Sequence, residues 1–258
     1  MRQRSADGAA PPPAGGACWL DGEPAGVAEN LALDEALLEE AHAGSMPQAV
    51  VRTWMAAQPT VVLGSSSRLD EEVDAAACAR LGVAIVRRPS GGLTVLLGPG
   101  CLMWSVVVRH PQAAPAIDRV HAEMLEPLCA ALRAAGPAVM RRGSSDLAIT
   151  IAGVERKVSG NALRVRRHAV LYHGTLLDSF DLSLVTSVLR HPPREPGYRA
   201  GRDHAAFLAN LGLGRLALET AVRRAFHAHA GRSDWPRDRV AMLVRERYAD
   251  PAWTHRLP

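Results

Sequence analysis

The stretch "SDLAITIAGVERKVSGNALRVRRHAVLYHGTLL" (residues 145–177) decides the fold of this chain. Its first part alternates Leu147, Ile149 and Ile151 with smaller residues, which is the pattern of a half-buried strand. A turn at Gly153 leads into "RKVSGNALRVR", and the β-branched and aromatic run "AVLYHGTLL" ends the stretch. We therefore expect three successive strands of a mixed sheet here.

The sequence before this stretch predicts further strands and helices. Short β-branched runs bounded by turn residues predict strands, and apolar residues spaced three and four apart predict helices. We expect the acidic residues of the first helix on its solvated face, and we expect Pro127 to kink or split the last helix. The strands are "AVVRTWM" (49–55), "TVVLG" (60–64), "VAIVRR" (83–88) and "LMWSVVVR" (102–109); the helices are "AGVAENLALDEALLEEAHAG" ending at Gly44, "EEVDAAACARLG" ending at Gly82, and "AIDRVHAEMLEPLCAALRAAG" (116–136).

Beyond Asp181 the pattern becomes helical, in "DLSLVTSVLR", "RLALETAVRRAFHAHAG" and "RDRVAMLVRERYA". The intervening "HPPREPGYRAGRDH" (residues 191–204) is rich in proline and glycine, so we expect an exposed loop. The fold class is therefore α/β, or mixed α+β, with a central mixed sheet flanked by helices. Residues 1–17 are expected to form a flexible Ala/Pro/Gly tail, and residues 18–258 one domain whose C-terminal portion is helical from about residue 181.

Composition limits the function classes. The formal charge is +4, yet the arginines are scattered without interleaved aromatic residues, so we expect no nucleic-acid binding; a basic face suits an acidic protein partner equally well. The four cysteines lie far apart without metal-ligand spacing, which favours free thiols in a reducing compartment. No segment reads as a membrane span or a signal peptide, so we expect a cytoplasmic protein without membrane association.

Lys157 is the only lysine among the 30 lysine and arginine residues. Lysine carries a compact point charge and arginine a rigid planar fork, so the two are not interchangeable. Two-residue spacing predicts that Lys157 and Ser159 share one face of a strand, and Gly160 allows close approach beside them. Such a lysine suits the stabilisation of developing negative charge on a carboxyl or phosphoryl oxygen.

A second glycine-bearing segment, "RRPSGGLTVLLGPGCL", begins at Arg87. Gly91 and Gly92 let a ligand approach the backbone N–H groups, while Arg87 and Arg88 are suited to neutralise a carboxylate or phosphate. His173 lies in another small polar cluster, where a structural hydrogen-bonding role and a catalytic role are both open. Motifs of the forms GxxxxGK[ST], GxGxxG and GxSxG are absent, so the sequence favours activation of an acid by anion-stabilising groups.

The combination of "RRPSGG" and, about sixty residues later, "RKVSGNA" and "HGTLL" resembles the lipoate-protein ligase A family. This family belongs to a superfamily with the biotin-protein ligases and octanoyltransferases. The resemblance also includes "NLALDEALLE" and "PTVVLG", and it extends from about Ala28 to Leu189. It implies a mixed α/β catalytic domain of the biotin/lipoate ligase, class II synthetase-like type.

The resemblance implies a two-step reaction. Lipoate, or octanoate, first attacks the α-phosphate of ATP with Mg²⁺ to give an acyl-adenylate and pyrophosphate. The amine of a lysine on an acceptor protein carrying a lipoyl domain then displaces AMP and forms an amide. ATP, Mg²⁺ and lipoate are thus expected as substrates and ion, without a tightly bound cofactor.

The resemblance also assigns residues. Lys157 matches the family's catalytic lysine, and Asp146 matches an acidic residue beside it with a metal or adenylate role. An apolar slot for the acyl chain is expected from Leu93, Val95 and Leu96. The substrate- and adenylate-binding positions are Arg88, Ser90, Gly91, Gly92, Asp146, Ser159, Gly160, Asn161, His173, Gly174 and Thr175.

Two departures from the family pattern keep alternatives open. Leu93 stands where the loop normally has a third glycine, Leu97 stands at a histidine position, and the following Gly-Pro-Gly is similar to the octanoyltransferase branch. Those transferases use a cysteine nucleophile instead of ATP, and Cys101 is the only candidate because no cysteine follows Cys129. Besides the ligase and the transferase, a non-catalytic paralogue that binds lipoate or lipoyl domains remains open.

Overall fold

The structure is a computed structural model that describes residues 16–110, 112 and 116–258. The tail expected at residues 1–17 therefore lies outside the described residues, except for Gly16 and Ala17. No helix within the described ranges has the length and apolar character needed to cross a membrane.

The described chain contains a large and a small β-sheet. The strands are β1 (Cys18–Leu20), β2 (Ala49–Met55), β3 (Thr60–Leu63), β4 (Ala84–Arg87), β5 (Val95–Leu97), β6 (Cys101–Arg109), β7 (Met140–Arg142), β8 (Asp146–Ile151), β9 (Val154–Arg166), β10 (Ala169–Leu177) and β11 (Ala230–Arg232). The eight-stranded sheet has the order β11-β1-β2-β6-β10-β9-β8-β7, and the three-stranded sheet has the order β4-β3-β5. In the large sheet β1 runs parallel to β2 and β11, and the other pairs are antiparallel.

Helices cover both faces of the large sheet. They are α1 (Val27–Ala43), α2 (Leu69–Glu72), α3 (Ala75–Leu81), α4 (Ile117–Ala134), α5 (Leu182–Val188), α6 (His204–Phe207), α7 (Arg215–Ala225), α8 (Arg237–Leu243) and α9 (Pro251–Thr254), with a 3₁₀ turn at Gly197–Arg199 and a π-helical turn at Val244–Tyr248. One apolar core joins α1, the small sheet and α8, and a second core joins α4 and α7 to the opposite face. The mixed α/β class with a central sheet flanked by helices is confirmed.

The three strands predicted from residues 145–177 form β8, β9 and β10. Gly44 and Gly82 end their helices in the left-handed conformation, with φ of 84° and 66°, as glycine at such positions permits. The single helix expected over residues 71–82 was wrong, because Asp74 caps a new helix by accepting from the Ala77 N–H at 2.9 Å. Pro127 does not split α4, whose apolar residues remain buried on both sides of it.

Two of the five acidic residues of α1 differ from expectation. Asp34 and Glu35 are each only 1% exposed, because α1 packs between the large sheet and the C-terminal helices. Asp34 accepts from Arg52 Nη1 at 2.7 Å, and Glu35 accepts from Arg164 Nη1 at 2.9 Å and from the Tyr248 hydroxyl at 2.7 Å. Buried carboxylates require such partners, so this helix face is an internal ionic network.

Candidate active site

A cavity of about 470 Å³ lies between the two sheets and receives residues from several distant segments. Most predicted site positions line it, whereas Ser90, Gly91 and Ser159 do not. The predicted residues that line the cavity are Arg88, Gly92, Asp146, Lys157, Gly160, Asn161, His173, Gly174 and Thr175.

Lys157 and Asp146 form an ion pair in this cavity. Nζ of Lys157 lies 2.8 Å from Oδ1 of Asp146, and the two side chains are 25% and 10% exposed. The second oxygen, Oδ2 of Asp146, accepts from the Tyr198 hydroxyl at 3.0 Å. The ammonium is thus held at a fixed place while part of it remains open to the cavity.

A β-bulge sets the position of Lys157. Asp146 pairs with Gly160, Leu147 with Ser159, and Ala148 with Lys157, so Val158 is the extra residue. Lys157 therefore shares the cavity with Gly160 and not with Ser159, which is fully buried. The expectation that Lys157 and Ser159 share a face was wrong because it assumed a regular two-residue alternation.

Two glycines allow close packing in the site. A Cβ at Gly160 would lie 3.0 Å from Cε and Nζ of Lys157, and a Cβ at Gly174 would overlap Oδ1 of Asn161. The Asn161 amide is itself fixed, since Nδ2 donates to the Ser145 carbonyl at 2.7 Å. These glycines leave room for the lysine and the asparagine.

Arg88 maintains the shape of the glycine-bearing loop. Its guanidinium donates to Ser90 Oγ at 3.0 Å and to the carbonyls of Gly91 and Leu93 at 2.6 and 2.9 Å. Burial lowers the pKa of Arg88 to about 10, so the side chain remains a cation at neutral pH. Gly92 has φ of 85°, which glycine adopts without strain.

Arg87 is not placed to bind an anion, contrary to the sequence-based expectation. It is fully buried and donates to the backbone carbonyls of Gly64, Ser67, Thr254 and Leu257 at 2.9, 2.6, 3.0 and 3.2 Å. Arg87 thus fastens the C-terminal segment to the small sheet.

Ser90, His173 and Asp34 form a hydrogen-bonded chain. Nε2 of His173 lies 2.6 Å from Ser90 Oγ, and Nδ1 lies 3.2 Å from Oδ2 of Asp34. Burial raises the pKa of Asp34, but Arg52, His173 and Ser105 outweigh it and hold the pKa below its ordinary value. Ser90 is fully buried behind the cavity wall, so the geometry supports a structural role for this chain in fixing the loop to the sheet.

Apolar side chains line another part of the cavity. Leu93 and Val95 contribute as predicted, but Leu96 does not. Alternation along β5 directs Leu97 to the cavity and buries Leu96 in the core. Further apolar lining, which was not predicted from the sequence, comes from Leu31, Trp54, Val62, Met103, Trp104 and Ala162.

The segment at residues 191–204 is not a simple exposed loop. Arg194, Glu195, Pro196 and Gly197 line the cavity, and Tyr198 contacts Asp146. No local pattern in this polar, proline-rich segment indicates such a role.

Cys101 does not reach the cavity lining. It is fully buried in the core, and burial raises the pKa of its thiol to about 12. The other three cysteines are free thiols as well. Cys101 is therefore poorly suited to act as a nucleophile, because the thiolate is the reactive form.

The described residues do not fit a metal held by protein side chains alone. They contain no group of three or more His, Cys, Asp or Glu residues with that potential. Asp146, the expected magnesium ligand, already has Lys157 on one oxygen and Tyr198 on the other.

Comparison with known proteins identifies the family. The model of the lipoyl protein ligase A/B catalytic domain matches residues 26–212. Octanoyltransferase LipM of Carboxydothermus hydrogenoformans is 29% identical, with 89% of this chain and 94% of the relative covered. Octanoyltransferase LipM of Geobacillus kaustophilus is also 29% identical, with 67% and 69% covered.

Solved structures share the fold. The bipartite lipoate protein ligase of Thermoplasma acidophilum superposes with a TM-score of 0.80 at 23% identity, covering 94% of this chain and 97% of that one. Lipoate-protein ligase A bound with ATP gives a TM-score of 0.75 at 24% identity, covering 94% and 99%. Because the family match spans well over half of the described chain, this protein belongs to the lipoyl protein ligase A/B catalytic-domain family.

Proposed function

We propose that this protein is an ATP-dependent lipoate-protein ligase. It activates lipoate or octanoate as an acyl-adenylate and transfers the acyl group to a lysine of an acceptor lipoyl domain. The observation that carries this proposal is the Lys157 ammonium, held 2.8 Å from Asp146 in a cavity that also has an apolar wall. The cavity thus offers a cation for an acyl-phosphate group and an apolar surface for a medium-length chain.

The first step forms an acid anhydride. A carboxylate oxygen of the acid attacks the α-phosphorus of ATP, the bond to the β-phosphate oxygen breaks, and pyrophosphate leaves. Lys157 stabilises the negative charge on the carboxyl and phosphoryl oxygens, while Leu93, Val95 and Leu97 contact the chain. Mg²⁺ enters with the phosphates of ATP as part of the substrate.

The second step forms the amide. The neutral amine of the acceptor lysine attacks the acyl carbonyl carbon, the bond to the AMP oxygen breaks, and the amine loses a proton. Lys157 stabilises the departing phosphate. Lipoic acid bound to a Thermoplasma acidophilum relative, and ATP bound to lipoate-protein ligase A, support this choice of substrates.

An octanoyltransferase that works without ATP is the second candidate. The two LipM relatives, each 29% identical, favour it. The cysteines oppose it, since Cys101 is buried in the core and no cysteine follows Cys129. A non-catalytic paralogue is less well supported, because Lys157 and Asp146 form an ion pair in the cavity.

We expect the protein to act in the cytoplasm, because its four cysteines are free thiols and a reducing compartment keeps thiols in that state.

The deciding experiment measures acyl transfer to an apo lipoyl domain by intact mass. One reaction contains ATP, Mg²⁺ and either lipoate or octanoate, and the other contains an octanoyl thioester of a carrier protein without ATP. Modification only in the first reaction supports the ligase. Modification only in the second supports the transferase, and a Lys157→Ala variant controls for uncatalysed acylation.

A further inference from the structure

Tyr198 contacts the ion pair of the proposed site from outside the motifs that predicted it. Its hydroxyl donates to Oδ2 of Asp146 at 3.0 Å, while Lys157 binds Oδ1 at 2.8 Å. We propose that Tyr198 is a positioning residue that acts through Asp146 to hold the Lys157 ammonium in place. This inference rests on the ligase function proposed above.

The side chain of Tyr198 is itself well anchored. Its ring lies 5.1 Å from that of Phe207, measured between centroids. Arg202 donates to the Tyr198 carbonyl at 2.6 Å and to the Glu155 carbonyl on β9 at 2.8 Å. The hydroxyl is therefore presented to Asp146 by a fixed piece of backbone.

The same segment also fixes the backbone of Lys157. The N–H of Ala209 donates to the Lys157 carbonyl at 2.9 Å, and Arg156 donates to the Ala205 carbonyl at 3.2 Å. Lys157 and Leu208 form an isolated parallel bridge at the bulge. Residues 198–209 thus hold Lys157 at both ends, by its main chain and through the carboxylate that binds its ammonium.

A neutral donor is the appropriate partner for the second oxygen of Asp146. A carboxylate with one partner is free to rotate about its terminal bond, whereas two donors fix its plane. A second cation there would compete with Lys157 for the same negative charge. Burial, together with Asp146, raises the pKa of Tyr198, so the hydroxyl keeps its proton near Arg202 and Glu155.

The test replaces the half-buried Tyr198 and the buried Tyr172, one at a time, by phenylalanine. Tyr198→Phe removes the bond to Asp146, and Tyr172→Phe is the matched control because its hydroxyl lies 2.8 Å from His121, in the core on the other face of the sheet. In an assay of acid-dependent pyrophosphate release, Tyr198→Phe is expected to lower kcat about tenfold, as for a hydrogen bond to a charged group. The KM for the acid should stay within about twofold, since the chain contacts are untouched. An unchanged kcat, or an equal loss in the control, overturns the proposal.

A second measurement separates this proposal from the proposed function. Lys157 is the only lysine, so brief acetylation followed by mass spectrometry reports on its ammonium, with the N-terminal amine as internal standard. We expect Lys157 to react faster in Tyr198→Phe and at the parental rate in Tyr172→Phe. An unchanged rate in Tyr198→Phe overturns the positioning role even if no ligase activity exists. Absent pyrophosphate release in the parent protein overturns only the ligase.

A double variant tests whether Tyr198 acts through Asp146. In an Asp146→Asn background, Tyr198→Phe should cause no further loss of kcat, because residues that act as a unit are not additive. If the double variant instead loses kcat by the product of the two single losses, the hydroxyl acts independently of Asp146 and the proposal is overturned.

Discussion

Lys157 and Asp146 lie on neighbouring antiparallel strands, and Nζ of Lys157 is 2.8 Å from Oδ1 of Asp146. Asp146 pairs directly with Gly160, so the side chain of Asp146 and the Cα of Gly160 lie on the same face of the sheet. The bulge at Val158 returns Lys157 to that face, three residues before Gly160. The pairing thus depends on one extra residue in β9, which sets the electrostatics of the site.

Replacing Lys157 tests its catalytic role. Both Lys157→Ala and Lys157→Arg should lower acyl-adenylate formation by about 10²–10³-fold, the effect of losing a preorganised charge-stabilising group. Arginine should fail because a planar fork fills the space above Gly160 differently. Both variants should still unfold cooperatively in urea, and Lys157→Ala should lose about 1–3 kcal/mol in its free energy of unfolding because the buried Asp146 carboxylate loses its cation. Near-parental activity of Lys157→Arg would contradict the proposed role.

Two glycine substitutions separate activity from folding. In Gly160→Ala the new Cβ would lie 3.0 Å from Nζ of Lys157, so the flexible side chain should move and kcat should fall while the melting temperature holds. In Gly174→Ala the Cβ would overlap Oδ1 of Asn161 and lie 3.0 Å from the Gly160 carbonyl oxygen. Because Asn161 is fixed by its bond to Ser145, this variant should unfold at lower temperature. Equal melting temperatures for both variants would refute this distinction.

Removal of Cys101 distinguishes ligase from transferase chemistry. Cys101→Ala deletes a fully buried thiol whose pKa burial raises to about 12. It should destabilise the protein by about 1 kcal/mol through a small cavity, and ATP-dependent acyl transfer should be retained. Loss of transfer in a folded variant, together with an acyl thioester on the parent protein, would favour the cysteine mechanism.

Local sequence signals predicted seven of the eleven strands in the described chain and two of the helix ends. They missed the three-residue strands β1, β5, β7 and β11, and the helix expected up to Gly231 ends at Ala225, before β11. Gly44 and Gly82 act within their own helices, and the β-branched runs read directly as strands. The grouping of Lys157 with the glycine-bearing loop came from resemblance. Lys157, Arg88 and Gly92 line one cavity, whereas Ser90 and Gly91 of the same loop do not. Strands and helix ends depend on residues that are close in the sequence, and the site was predicted from motifs that occur in a fixed order along the chain.

Features that depend on long-range pairing were missed. The burial of Asp34 follows from Arg52 on β2, and the contact of Asp146 with Tyr198 joins residues with no intervening pattern. The bulge at Val158 exists only in the register between β8 and β9. No spacing rule along one segment contains these relationships, because each requires the packing of two distant elements.

Arg87 should stabilise the packing of the C-terminal segment and should not take part in binding the acid. Arg87→Met would leave the buried carbonyl of Ser67 without its donor and would remove the Arg87 bonds to the carbonyls of Gly64, Thr254 and Leu257. We expect a loss of about 3 kcal/mol or more in the free energy of unfolding, with earlier proteolysis near the C-terminus. The KM for the acid, measured on the folded fraction, should remain close to the parental value. A selective rise in KM would instead support an anion-binding role.

The buried carboxylate of Asp34 should make stability depend on pH. Its pKa in the folded protein lies below the ordinary value of 3.8, despite the opposing effect of burial, because Arg52, His173 and Ser105 favour the charged form. Its contribution to stability is therefore complete above about pH 4 and is lost as the pH falls through the folded-state pKa. Asp34→Asn should cost about 3–5 kcal/mol at pH 6, since it leaves Arg52 buried without its charge partner.

The comparison of urea unfolding at pH 6 and pH 3 isolates this effect of Asp34. The difference in the free energy of unfolding between the parent and Asp34→Asn should be smaller at pH 3 than at pH 6. Protonation of Asp34 at low pH removes part of the same negative charge that the substitution removes. Asp70→Asn is the matched control, as it deletes an exposed carboxylate on α2 and should alter the free energy of unfolding by less than about 0.5 kcal/mol at both values. A parent-minus-variant difference for Asp34 that stays constant with pH would mean that its charge does not stabilise the fold.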